Sequence, residues 1–383
     1  MADRKVREQF MGDISVPIRF LARLQAVTLM PANALTWGLV VPTYNREDVL
    51  LRCLRLGAAQ TRPPLEIIVV DSSPGWKSTQ ERVLREIAPL WPGIRWRYDE
   101  AERRSSASQR NQGVRAATAD IVFLFDDDSL MYPDCAAEIM RVYEADSGRS
   151  VVGVNATNVP APPDASPESQ TSAPTEFTTA KNYGPLARWV RRILRADDIF
   201  IPYDRSFPAH PMPTAVAALA VDRWPMGAGW GMSFRREICL AEPFEEILIN
   251  YAAGEDSDMS YRATRRGVYV GARHGKLCHL GSPTGRVPTF IWAVSNMLNP
   301  VALHGLYSTD RGRSRMLHRR MLSRRVLISA AKDVYYRRWT MPTARGALLA
   351  LSMVGTVFRK SEQELRTWYP QFQAKLYKRA GNR

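Results

Sequence analysis

The chain is expected to fold as an α/β protein: a mostly parallel sheet with helices on both faces, followed by a helical, basic C-terminal region. Three observations predict this. Between residues 37 and 154, short runs of Val, Ile, Leu and Phe alternate with stretches of helical periodicity. The apolar runs are nearly continuous, as in strands covered on both faces. Beyond residue 290 the pattern turns to long helical stretches dense in Arg.

The elements follow in order. Residues 1–36 form an N-terminal leader, in which 16–30 carry apolar residues at near-helical spacing with Arg19 and Arg23 among them. Such an amphipathic segment packs on the main domain or lies on a membrane surface. Strands are expected at 38–41, 67–70, 94–98, 121–125 and 151–154, with Pro42 ending the first. Helices are expected between them at 47–59, 78–87, 106–117 and 134–144. Residues 155–180 are rich in Pro, Ser, Thr and Ala without periodicity, which marks a mobile loop beside the site. Order resumes over 224–290, with a helix at 256–266 stopped by Gly267 and a strand at 268–272. Residues 311–338 hold ten Lys or Arg against one acid, Asp333, interleaved with Met316, Leu317, Met321, Leu322, Val326, Leu327 and Ile328. That composition predicts a basic amphipathic helix.

Bulk properties narrow the function. The 383 residues are 45% hydrophobic and 24% charged, ordinary for a globular chain with a sizeable core. A net charge of +15 favours anionic partners: nucleic acid, acidic lipid or phosphorylated small molecules. Cys53, Cys135, Cys239 and Cys278 are scattered without a CxxC pair, so a reducing compartment is expected rather than a disulfide framework or a zinc site. The first nine residues lack a signal-peptide core, and the apolar stretch 347–358 is too short to span a bilayer.

The most informative segment is 121–129, Ile-Val-Phe-Leu-Phe-Asp-Asp-Asp-Ser. Three carboxylates following a buried strand repel one another, by roughly 3 kcal/mol per pair at about 5 Å and an effective dielectric of about 20. A divalent cation such as Mg²⁺ or Mn²⁺ turns that repulsion into binding. The alternative is that Asp126, Asp127 and Asp128 cap the next helix or face water. Other segments stand at strand ends in the same way, where open α/β sheets place ligands. Pro42-Thr43-Tyr44-Asn45-Arg46 follows the first strand and suits a base or ribose. Asp71 follows Ile67-Ile68-Val69-Val70 and can accept hydrogen bonds from ribose or base. In Ser105-Ser106-Ala107-Ser108-Gln109-Arg110-Asn111, small residues open a helix, and Arg110 can pair with a phosphate or steady the Asp cluster. Each of these taken alone also reads as an ordinary turn or helix cap.

In this order and at this spacing, the four segments resemble the nucleotide-binding half of family 2 glycosyltransferases of the GT-A (Rossmann-like) fold, over roughly residues 37–286. The resemblance implies a 37–289 catalytic domain with a nucleotide-binding half (37–154), the 155–180 loop and an acceptor-binding half (181–289), then a basic helical region at 290–383. It implies that Pro42, Thr43, Tyr44, Asn45, Arg46, Asp71, Arg110, Asp126 and Asp127 surround the nucleotide sugar. Asp128 and His279, the latter in Cys278-His279-Leu280-Gly281, would hold Mn²⁺ or Mg²⁺, with His274 as the second choice of histidine. In Gly254-Glu255-Asp256-Ser257-Asp258, Asp256 would be the base that deprotonates an acceptor hydroxyl and Glu255 would orient the acceptor. Gly229 and Trp230, in a glycine-rich segment, would face the acceptor, although Trp230 stands where the family often has a small polar residue. Arg286 is a candidate for helping the leaving group.

The implied function is metal-dependent, inverting transfer of a sugar from a UDP-, GDP- or dTDP-type donor to a glycan or lipid-linked acceptor, in cell-surface polysaccharide or glycolipid assembly. An anionic membrane surface is a candidate partner for the basic region, and the expected location is cytoplasmic, peripheral on the inner membrane face. Nucleic acid is disfavoured, because no stacking platform or recognition motif accompanies the charge. The competing functions are a non-catalytic glycan-binding scaffold and a nucleotidyltransferase of related fold. The latter normally has a Gly- and Arg-rich phosphate loop where this chain has residues 42–46.

Overall fold

The first apolar run pairs on both sides with its successors. In a computed structural model, which describes residues 35–165, 201–204, 206–281 and 287–381, β1 (Trp37–Thr43) lies parallel to β2 (Glu66–Asp71) and to β4 (Ile121–Leu124), and β2 lies parallel to β3 (Arg95–Glu100). Residues 1–34, which hold most of the expected amphipathic leader, residues 166–180 of the expected loop and Arg286 lie outside the described residues. The connecting helices are α1 (Glu47–Ala58), α2 (Trp76–Glu86), α3 (Ser106–Ala116) and α4 (Cys135–Ala145), within two residues of the expected positions.

β1 runs through Pro42 instead of ending before it. Its pairing with β4 stops at Val40 opposite Leu124, so Pro42 lies where the strand is flanked on one side only and its missing N–H is tolerated. Alternate residues of the strands enter different cores. Leu39, Val41, Ile67, Val69, Ile121 and Phe123 join α1 and α4 on one face, whereas Val40, Ile68, Val70, Val122 and Leu124 join α3 on the other. Both faces of β1, β2 and β4 are therefore covered, which is why their sequences show no polar alternation, whereas the edge strand β3, Arg-Trp-Arg-Tyr-Asp-Glu, is largely exposed.

The parallel arrangement gives way in the second half. The short β5 (Ser129–Met131), β7 (Val221–Arg223) and β8 (Met232–Arg235), which no periodicity announces, join β6 (Val151–Asn158) and the long β9 (Val268–His279). The order is β3-β2-β1-β4-β8-β6-β9-β5, with β7 also on β9. β8 is antiparallel to β4 and β6, and β5 and β7 are antiparallel to β9. The sheet is thus mixed. β6 extends to Asn158, four residues into the segment expected as loop, and β9 extends seven residues past the expected strand. Their parallel pairing with each other, shifted in register between Asn155 and Thr157, carries both through polar stretches that read locally as loop.

α5 (Thr214–Ala217), α6 (Arg236–Ala241) and α7 (Glu255–Thr264) complete this part. The C-terminal region is helical as expected: α8 (Thr289–Tyr307), α9 (Arg311–Tyr335), α10 (Pro342–Arg359) and α11 (Glu362–Gly381). It shares a core with the α3 face through Leu298, Leu322, Val354 and Tyr369. Polar contacts fix it to the chain just before α7. Asn299 Nδ2 donates to the Ala253 carbonyl (2.8 Å), Gln373 Nε2 donates to the Ile247 carbonyl (2.7 Å), and Arg366 pairs with Glu245 (3.0 Å). Asp333, the one acid of α9, accepts from the N–H groups of Thr343 (2.8 Å) and Ala344 (2.9 Å) and so caps α10. Among the described residues, no helix is long and apolar enough to cross a membrane.

Candidate active site

The Asp triplet occupies the turn between β4 and β5, closed by Ser129 N–H donating to the Asp126 carbonyl (3.0 Å). It caps no helix, because α4 begins only at Cys135. It is not a solvated strand end either: Asp127 is 3% exposed and Asp128 1%. The three side chains diverge. Asp127 turns back toward β1, accepting from Thr43 Oγ1 (2.7 Å) and Arg46 Nη1 (2.9 Å). Burial pushes its carboxyl up to about 7, with Arg46 pulling it down and Asp128 pushing it up.

Asp126 and Asp128 face the end of β9. β5 pairs with β9 so that Ser129 lies opposite His279, which brings Asp128 Oδ1 to 3.3 Å from His279 Nε2. One ligand atom from each of Asp126, Asp128 and His279 lies within 4.8 Å of the others. Carboxylate oxygen with imidazole nitrogen is a donor set suited to Mn²⁺ or Mg²⁺, so the residues fit the expected ion. Asp126, which the resemblance places beside the nucleotide or sugar, belongs to this cluster by position. Burial disfavours the charged imidazole of His279, but the hydrogen bond and charge of Asp128 outweigh it and raise the pKa. Trp230 stacks beside the imidazole with ring centroids 6.3 Å apart and planes at 18°. His274 is exposed on β9 and outside the cluster.

Arg110 joins the two halves of the site. It is 1% exposed and donates to Asp126 Oδ1 through Nη2 (2.6 Å), to Glu255 Oε1 through Nη1 (2.6 Å) and to the Gly229 carbonyl (3.4 Å). Of the two roles left open for it by the sequence, its contacts are those of a residue that steadies the acidic cluster. Glu255 also accepts from Ser106 Oγ (3.0 Å). Burial pushes the Glu255 carboxyl up to about 7, the Arg110 charge opposes this, and Asp256 adds to it.

Asp256 is half-buried, unlike Glu255. Its Oδ2 accepts from Gly229 N–H (3.0 Å) and its Oδ1 from Ser257 N–H (2.7 Å). Gly229 fits tightly: a Cβ there would lie 3.1 Å from Arg110 Nη2 and 3.5 Å from Asp256 Oδ2. The glycine-rich segment is anchored to β6, with Ala228 N–H donating to Asn155 Oδ1 (2.9 Å) and Ala156 N–H to the Gly231 carbonyl (2.7 Å). Trp230 is half-buried, and its carbonyl accepts from Ser129 Oγ (2.7 Å).

At the β1 and β2 ends, Asp71 is held by its neighbours: Tyr98 donates to Oδ2 (2.6 Å) and Ser73 N–H to Oδ1 (2.7 Å). Tyr44 lies under the Arg104 guanidinium, 3.6 Å from the ring centroid, and Asn45 has φ 52° with its N–H donating to Ser73 Oγ (2.7 Å). Sequence reasoning missed Gln109, whose Nε2 donates to the carbonyls of Thr43 (2.9 Å) and Val70 (2.8 Å) and so ties the β1 and β2 ends together. It also missed Ser106 and Asn155. A buried polar residue adjoining Arg110 is the signal that could have found Gln109; Asn155 carried none.

The parallel half of the sheet thus ends in an acidic turn that is joined through Arg110 to carboxylates at the start of α7. Residues 39–189, which run from within β1 past the end of β6, match the family model "Glycosyl transferase family 2". Among curated proteins it is similar to an uncharacterized glycosyltransferase of Haemophilus influenzae, 28% identical over 107 residues, covering 28% of this chain and 34% of that protein. It is also similar to validoxylamine A glucosyltransferase of Streptomyces hygroscopicus subsp. limoneus, 31% identical over 115 residues, covering 30% of this chain and 25% of that protein. The match thus spans a quarter to a third of these relatives. Among solved structures, a mannosyltransferase from Pyrobaculum calidifontis in complex with GDP-Man and Mn²⁺ aligns over 88% of this chain and 91% of that one, with 17% identity and a TM-score of 0.47.

Proposed function

We propose that the protein is a metal-dependent, inverting glycosyltransferase that moves a sugar from a nucleoside-diphosphate donor to a hydroxyl of a glycan or lipid-linked acceptor, in the cytoplasm. The observation that carries this reading is the chain of contacts from Asp126 through Arg110 and Gly229 to Glu255 and Asp256, which joins a cation-ligating cluster to a pair of helix-initial carboxylates. Asp126, Asp128 and His279 would hold the ion, which when bound offsets charge on a diphosphate leaving group. Thr43, Arg46 and Asp127 shape the nucleotide end, and Trp230 offers a flat face for a sugar ring.

Asp256 is the general base. Two backbone N–H groups orient its carboxylate, and its partial exposure leaves room for an acceptor oxygen to give up a proton there as it attacks the anomeric carbon. Glu255 is buried on Arg110 and acts as the support that fixes the start of α7. Asp256→Asn is therefore expected to lower turnover by at least about a hundredfold while nucleoside diphosphate still binds. Turnover and calorimetric titration of the variant with UDP and GDP in Mn²⁺ check this. Near-wild-type turnover would remove Asp256 as the base. Failure of every nucleoside diphosphate to bind the wild-type protein would remove the transferase reading itself.

A further inference from the structure

One surface lies outside the catalytic machinery and has the wrong composition for its position. The end of α9 and the connector to α10 hold Tyr335, Tyr336 and Trp339, which are 80%, 56% and 74% exposed. Connectors are ordinarily built from Gly, Asn, Asp, Ser and Pro. Here large aromatic side chains point outward from a stretch whose backbone is hydrogen-bonded: Arg338 N–H donates to the Asp333 carbonyl (2.7 Å) and Met341 N–H to the Arg338 carbonyl (2.8 Å).

Cations surround the aromatics. Arg337 and Arg338 are exposed between them, and the Arg338 guanidinium lies 5.2 Å from the Tyr336 ring centroid. The start of α8 meets the same end of the helical layer, with Lys332 Nζ 5.9 Å from the Trp292 ring and Arg345 5.7 Å from the Phe290 ring. Residues 311–360 contain thirteen Lys or Arg and one acid. That acid, Asp333, is buried and committed to capping α10. Residues 311–360 therefore carry no exposed carboxylate to repel an anion.

We propose that this aromatic and basic end of the helical layer docks on an anionic lipid bilayer, with Tyr335, Tyr336 and Trp339 at headgroup level and the surrounding Arg and Lys on lipid phosphates. Trp and Tyr are the side chains that settle at the membrane–water interface, where one end of the ring system is apolar and the other wet. Clustered cations supply the attraction to acidic lipid. A nucleic-acid site would instead line its aromatics along a groove that follows a strand; here they sit at the end of α9 and on the connector that follows it. The proposal is independent of sugar transfer, and it is tested without substrate.

The test is flotation of the full-length protein with vesicles of phosphatidylcholine alone and of phosphatidylcholine with phosphatidylglycerol, at low and high salt. A single-stranded oligonucleotide serves as a competing anion. Binding is expected only to the acidic vesicles, weakening with salt. The pairs Tyr335→Ser/Trp339→Ser and Arg337→Glu/Arg338→Glu should each lower it by about tenfold or more. Arg85→Glu/Arg141→Glu, an equal charge change on the sheet domain, should leave it within about twofold. Brominated acyl chains should quench part of the tryptophan fluorescence of the bound protein, and Trp339→Phe should still bind but lose that part. Equal binding by the connector variants, equal binding to neutral vesicles, or capture of the oligonucleotide without vesicle binding overturns the proposal.

Discussion

Arg110 spends its guanidinium on two carboxylates and a carbonyl, all inside the protein. Burial raises the Glu255 carboxyl, and an Arg110 cation shared with Asp126 does not fully offset this beside Asp256, so Glu255 sits near neutrality. The sign of the pH effect follows. Glu255 is raised from its ordinary value of 4.5 to about 7, so between these values the folded state holds a proton that the unfolded state has released. The stabilisation is complete below about pH 4.5 and is lost as pH rises through about 7. Glu255→Gln should remove about 2 kcal/mol of this dependence, read from urea unfolding at pH 5 and pH 8. At this scale the sequence was legible where a residue announced its chemistry. The Asp triplet, Arg110 and His279 stood out as charged or ligating groups and come together in space. Asp127 was not separable from its neighbours, since only the turn decides which of three adjacent carboxylates points back at Thr43. Asp71 looked open to a ligand because nothing local revealed Tyr98 across the neighbouring strand.

Elements obey the same division. α3 was visible from its small residues, and the structure explains them: Gly113 crosses β1 so closely that a Cβ would lie 2.3 Å from Val40 Cγ1. In an open helix, Gly→Ala stabilises by about 1 kcal/mol. Here the overlap, in a core that resists displacement, outweighs the propensity gain, and Gly113→Ala should destabilise by about 1–3 kcal/mol. A melting curve decides between the two signs. β1, β2 and β4 were legible because both their faces are buried, so their sequences are mostly apolar. The later strands were not. β9 contains Arg273, His274 and Lys276, and only its neighbours β6 and β5 keep it extended to His279. Tertiary pairing, absent from any local window, sets its length.

For the whole molecule, the excess of positive charge is concentrated in helices that also hold the α7 start in place through Asn299, Gln373 and Arg366. The C-terminal region therefore contributes to the stability of the sheet and α7 as well as forming a surface. If Asp126, Asp128 and His279 hold a cation in the native state alone, the cation stabilises by mass action. Mn²⁺ at about 100 times its dissociation constant should stabilise the protein by about 2.7 kcal/mol. Asp128→Ala should abolish that gain, as differential scanning calorimetry with and without Mn²⁺ would read. An equal shift in the variant would place the ion elsewhere.

The pairing of Ser129 with His279 bears on how the protein comes to exist. The two residues are far apart in sequence, and β4, the strand leading into the Asp triplet, waits for residues 232–235 as its second neighbour. Contacts of such sequence separation close late, after the loop entropy of everything between them has been overcome. A chain emerging from the ribosome can assemble β1 to β4 early but has no ligating cluster until β9 is out and docked. Until then the acidic turn has Arg46 and Arg110 beside it but lacks the histidine of the cluster. Assembly of the candidate metal site therefore reports that the whole sheet has closed, and partly synthesised chains are inert toward the cation the finished one would bind.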